Sequence, residues 1–183
     1  FHLQKWRAPL HCESFALAER APAMPLDQSA PLASPDRAGA LPPGPRMFLH
    51  GLRQTVACLK ARVDGVETLE SGYRIAGIRG AADSFDAFIH ILGALATRPV
   101  EINCVDCPDL SLDERALLFV AAAIQMGDFG AAHERLIDFV PAKGARMAAT
   151  PLIGATAAFL AAGFAIGPEP NAPALRSALP MAD

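Results

Sequence analysis

Residues 111–127, SLDERALLFVAAAIQMG, decide how this chain is read. Ser111 and Glu114 stand three apart, the spacing at which each side chain satisfies a backbone donor of the other, so a capping box starts a helix running from Leu112 to Met126. Within it, residues 116–124 (ALLFVAAAI) are apolar on every side. Such a helix is expected at the centre of a folded body.

Downstream, Gly127 ends that helix and Asp128 caps a fourth, expected to run through Val140 until Pro141 stops it. The last helix is expected to begin with Thr150 as cap and Pro151 at its first position, and to end at Gly167–Pro168. Its small residues Gly154, Ala155, Ala158, Ala162 and Gly163 would admit a neighbouring helix closely. Residues 147–168 carry no charge and are long enough to cross a bilayer. They are dominated by alanine, however, a weak drive into hydrocarbon, and a membrane span is the less favoured reading.

Upstream, Val100, Ile102 and Cys104 alternate with Glu101 and Asn103 and predict a strand. Before it, Phe85, Phe88, Ile89, Leu92 and Leu95 form the buried face of a helix capped by Asp83 or Ser84 and closed by Arg98–Pro99. Residues 72–79 (GYRIAGIR), with Tyr73 and Ile75 in alternation between glycines, read as a short strand. Strand, helix and strand in that order predict a right-handed crossover. Earlier still, Phe48, Leu52, Val56, Leu59 and Val63 make an amphipathic stripe, with Arg53, Gln54, Lys60 and Arg62 on its other side. The expected fold class is therefore mostly α with a small β component: a compact helical body of about five helices with a short two-stranded βαβ-like element.

Eight of the 16 prolines fall in residues 1–46 and four more after residue 166. Proline at that density opposes regular helix. The expected organisation is a Pro-rich, largely irregular N-terminal arm (1–46), a single globular helical domain (47–166) and a Pro-rich C-terminal tail (167–183). The first fifteen residues hold the only tryptophan, Trp6, beside Leu3, Leu10 and Phe15, which points to docking on the body or on a partner. The chain opens with Phe1, reading as a fragment or processed form, and residues 1–20 lack a signal-peptide pattern.

The 183 residues are 52% hydrophobic, enough for one core without covalent staples. Sixteen Lys and Arg against 19 Asp and Glu give a net charge of −3 with no basic cluster, so no nucleic-acid partner is expected. Four scattered cysteines in so apolar a chain suggest a reducing compartment, the cytoplasm.

Cys104 and Cys107 are the chemical signature to be weighed. Redox work needs a cation or a helix N-terminus beside the first sulfur. Here the helix starts about seven residues later, and Asp106, Asp109, Asp113 and Glu114 surround the pair with negative charge. A structural zinc site needs four ligands. The pair supplies two, which His11, Cys12, Cys58, His50, His90 or a second subunit would have to complete. The simplest reading makes both sulfurs buried or half-buried thiols with no cofactor. His90 stands one turn after Asp86, a spacing that can orient an imidazole but recurs on ordinary helix surfaces. GIRGAADS (77–84) places glycines ahead of a helix, yet Asp83 and Asp86 occupy that terminus and would repel an anion, so a capped turn is expected. No catalytic residue is assigned, and the balance leans against an enzyme.

GDFGAAHERL (127–136) resembles the turn between the two helices of a tetratricopeptide repeat, at Gly127, Asp128, Phe129 and Ala132. The resemblance covers at most residues 116–140, and the early Pro141 departs from the pattern. It implies a helix-turn-helix geometry and carries over no binding residue. The expected function is a helical interaction or scaffold domain with a protein partner or a second copy, a homodimer, on its surface. The alternative is a small metal- or ligand-binding protein with zinc on Cys104 and Cys107.

Overall fold

A computed structural model describes residues 5–7 and 37–167 of the chain. Six α-helices are present among them: α1 Pro43–Ala61, α2 Gly65–Ile75, α3 Ala81–Leu95, α4 Leu112–Gln125, α5 Phe129–Leu136 and α6 Ala142–Ala161. Two strands of two residues each, β1 Trp6–Arg7 and β2 Val100–Glu101, pair in parallel, with Trp6 opposite Val100. The fold is mostly helical. Most of the proposed N-terminal arm and nearly all of the tail lie outside the described residues.

The core is aromatic where α1, α2, α3 and α6 converge. Phe48 lies 4.9 Å from Phe85 between ring centroids, and Tyr73 meets Phe159 edge-on at 5.4 Å. Gly51 of α1 makes this possible, since a β-carbon there would sit 1.8 Å from the Tyr73 hydroxyl. The most extensive helix contact is that of α3 with α6. The alanines and glycines of α6 let the larger Phe85, Phe88, Ile89 and Leu92 of α3 fill the space between.

Four expectations are corrected. Residues 72–75 are the end of α2, not a strand, so the βαβ element is absent and the helices number six among the described residues. Leu69 and Tyr73, one turn apart, are the buried face of α2, whereas Ile75 is almost fully exposed. Helical spacing thus prevailed over local alternation. Second, α3 opens at Gly80, with no side-chain cap from Asp83 or Ser84. Third, α6 begins at Ala142 and runs through Pro151, while the Thr150 hydroxyl donates to the Arg146 carbonyl inside the helix. The lost amide removes one rung, and burial of Ala145, Ala148, Leu152 and Ala155 carries the helix across it. Fourth, α4 packs against α1, α5 and α6 but is not enclosed on every side. Leu117, Val120, Ala121, Ala123 and Ile124 are buried, but Phe119 is half-exposed on a remaining strip with Leu112 and Met126.

The Ser111 capping box forms as expected, with reciprocal bonds of 3.0 and 2.9 Å. The α4–α5 connection has the expected helix-turn-helix geometry: Gly127 adopts φ 79°, and the Asp128 carboxylate accepts from the Ala131 N–H. α5 stops at Leu136, before the expected Val140. Beyond α6, the Gln125 side chain bonds the Phe164 carbonyl and the Ile166 amide, holding the chain against α4 up to the edge of the described residues.

Trp6 is buried against α3. A β-carbon on Gly93 would lie 2.9 Å from its Nε1, and the Lys5 ammonium donates to the Ala96 carbonyl at the C-terminal end of α3, where cations are favoured. Among the described residues, no helix is long and apolar enough to cross a membrane.

Candidate functional site

Cys104 and Cys107 sit in the loop between β2 and α4, Cys104 half-buried and Cys107 buried. The Cys107 N–H donates to the Cys104 carbonyl at 3.1 Å, closing a tight turn. What holds this loop is a buried ion pair below it. Arg53 of α1 donates to both carboxylate oxygens of Glu114 at 2.7 and 3.0 Å, and its guanidinium also donates to the carbonyls of Cys107 and Asp109, each at 2.6 Å. Glu114 in turn accepts from the amides of Asn103 and Ser111. The loop is therefore clamped through its backbone, as a planar guanidinium fork allows. Asn103 Nδ2 bonds the Asp109 carbonyl, and its buried Oδ1 has no partner.

His50 lies exposed on α1, and Cys58 and His90 line a separate cavity. His11 and Cys12, the other proposed ligands, fall outside the described residues. Among the described residues no group of three or more His, Cys, Asp or Glu is placed to hold a metal ion.

The cavity with Cys58 and His90 measures about 510 Å³ and opens between α1, α2 and α3. The Gln54 amide donates to the Cys58 sulfur at 3.4 Å. His90 Nδ1 lies 2.8 Å from the Asp86 carbonyl oxygen and 3.3 Å from its carboxylate. A carbonyl oxygen only accepts, so Nδ1 carries the proton and the ring is oriented as the i,i+4 spacing suggested. Asp64, which caps α2 through the Val66 amide, also lines this cavity.

A second hollow, of about 520 Å³, is walled by paired charges. Arg98 grips both oxygens of Asp113 at 2.9 and 2.7 Å and lies 4.9 Å above the Phe139 ring, and Asp113 also accepts from the Glu101 amide. The hydrogen bond to Asp113 raises the Arg98 pKa above its already high ordinary value. This arrangement staples β2 and α4 to the turn after α5.

The third hollow differs in kind. A groove of about 500 Å³ between α5 and α6 is lined by Phe129, His133, Arg146, Ala149, Thr150 and Ile153. Phe129 is 53% and Ile153 41% exposed, and Leu160, two turns beyond Ile153 on α6, is 53% exposed. Sequence reasoning did not single out these residues. Phe129 appeared only as a position of repeat resemblance, and the start placed at Thr150 removed Arg146 from α6. The residues it did nominate, Cys104 and Cys107, are brought together with Arg53 and Glu114 instead.

Compared with family models, with curated proteins and with solved structures, the chain matches none.

Proposed function

We propose that this chain is a helical interaction or scaffold domain that acts by presenting a surface to a protein partner, not by catalysis. The observation that carries the reading is the α5–α6 groove, where Phe129 and Ile153 leave large apolar side chains half-exposed along one hollow, while Phe48, Phe85, Phe88, Phe139 and Phe159 are buried in the core. Clustered exposed apolar groups of this sort mark contact surfaces. The Pro-rich tail, residues 167–183, fits the role of a tether beside the body. A second copy of the chain is the competing occupant, and a reducing cytoplasm is the compartment that suits its thiols.

The test is recovery of a defined complex from cell extract by size exclusion, with wild-type chain against a Phe129→Ser/Ile153→Glu variant whose circular dichroism is unchanged. Loss of the complex in the variant supports the reading. A complex retained by the variant contradicts it.

A second reading keeps Cys104 and Cys107 as half of a zinc site, favoured by the tight turn between them. Elemental analysis showing one zinc per chain, or half that for a site shared by two subunits, would establish it.

A further inference from the structure

The charges around the α5–α6 groove are one-sided. α6 carries Lys143 and Arg146 and no carboxylate over its whole length, in a chain whose net charge is −3. Arg146, on the groove wall, makes no ion pair among the described residues, and His133 faces the same space. The nearby carboxylates are engaged elsewhere. Asp128 caps α5 through the Ala131 amide, Asp138 pairs with Arg135 at 3.1 Å, and Glu134 lines the neighbouring hollow toward α4 with Phe119 and Arg135. The groove-lining residues recur at helical spacing, Phe129 and His133 one turn apart on α5 and Arg146, Thr150 and Ile153 at i, i+4 and i+7 on α6, with Phe129 and Ile153 as the large apolar members.

From this juxtaposition we infer that the groove takes an amphipathic peptide segment of a partner protein, anchored by apolar side chains on Phe129 and Ile153 and flanked by carboxylates that meet Arg146. The inference rests on the interaction reading above and adds the chemistry of the partner. Apolar anchors supply most of the affinity, and the charge sets which sequences are accepted. A basic segment is excluded by Arg146, which has no carboxylate on its side of the groove to offset the repulsion.

The experiment uses the full chain and three fluorescein-labelled synthetic peptides of three helical turns each. One has a Leu stripe at i, i+4 and i+7 with Glu on the flanks, one has the same stripe with Lys, and one has Glu with the stripe changed to Ser. Fluorescence anisotropy should show binding of the Leu–Glu peptide, at least about tenfold weaker binding of the other two, and weakening with salt. Arg146→Glu, at an exposed position and with circular dichroism as the check on folding, should reverse the preference toward the Lys peptide, and Ile153→Glu should abolish binding of the Leu–Glu peptide. Equal binding of the Glu and Lys peptides, or no effect of Arg146→Glu, would overturn the acidic-partner assignment while leaving the interaction reading standing. A chain that dimerises by light scattering and becomes monomeric on Ile153→Glu would assign the groove to a second copy and overturn it as well. So would binding seen only after removal of residues 168–183.

Discussion

Arg53 and Glu114, 61 residues apart in sequence, form a two-pronged ion pair with side chains only 2% and 0% exposed. Each also serves the loop that holds Cys104 and Cys107, Arg53 through two carbonyls and Glu114 through two amides. Removing one partner leaves the other charged and buried. Glu114→Leu and Arg53→Met are each expected to cost about 3–5 kcal/mol in urea unfolding. The double variant should cost clearly less than their sum. Single variants within about 1 kcal/mol of wild type would show that the pair does not hold the loop.

Little of this clamp was legible in advance. Ser111 and Glu114 announce a capping box locally, because both partners lie within one helical turn. The sequence does not show that Glu114 has a second task, since that depends on where α1 crosses. Arg53 read as a solvent-facing position because Phe48, Leu52, Val56, Leu59 and Val63 already defined one face of α1. In the fold α1 is covered on more than that face, and Arg53 enters the interior with every charge answered.

The only tryptophan gives a direct probe of how the N-terminal segment docks. Trp6 lies so close to Gly93 that a methyl group has no room, with Nε1 2.9 Å and Cζ2 3.1 Å from the position of an added β-carbon. Gly93→Ala should therefore push the indole out, shifting tryptophan emission to the red while far-ultraviolet circular dichroism stays near wild type. Unchanged emission would contradict the docking described for Trp6.

Tyr73 is likewise the only tyrosine, and burial raises its pKa well above the ordinary value for a phenol. A raised folded-state pKa means that the unfolded chain releases this proton first as pH rises. The corresponding stability is complete below about pH 10 and is lost above it. Tyrosinate absorbance should consequently appear together with loss of helical signal. Tyr73→Phe removes the ionising group and only a long, 3.4 Å hydroxyl contact with the Met47 carbonyl, so it should move alkaline unfolding to higher pH. Phenolate appearing in a chain that is still helical would contradict burial of this side chain.

The helices were more readable than their ends. α1 and α4 have long apolar stripes and were placed closely, whereas α2 was hidden by Gly72 and by the chance alternation of Tyr73 and Ile75. The start of α6 was displaced by Pro151, whose local effect is overcome by tertiary contacts with α3. The groove itself could not be read, because it depends on α5 stopping at Leu136 and α6 beginning at Ala142, and on both lying side by side.

The most direct test of a binding face on α5 and α6 is site-specific photo-crosslinking in cells. A photoreactive phenylalanine analogue at Ile153 is compared with one at Glu67, exposed on α2. The account predicts a discrete crosslinked species from position 153 and none from position 67. Equal labelling from both positions, or none from 153, would contradict it.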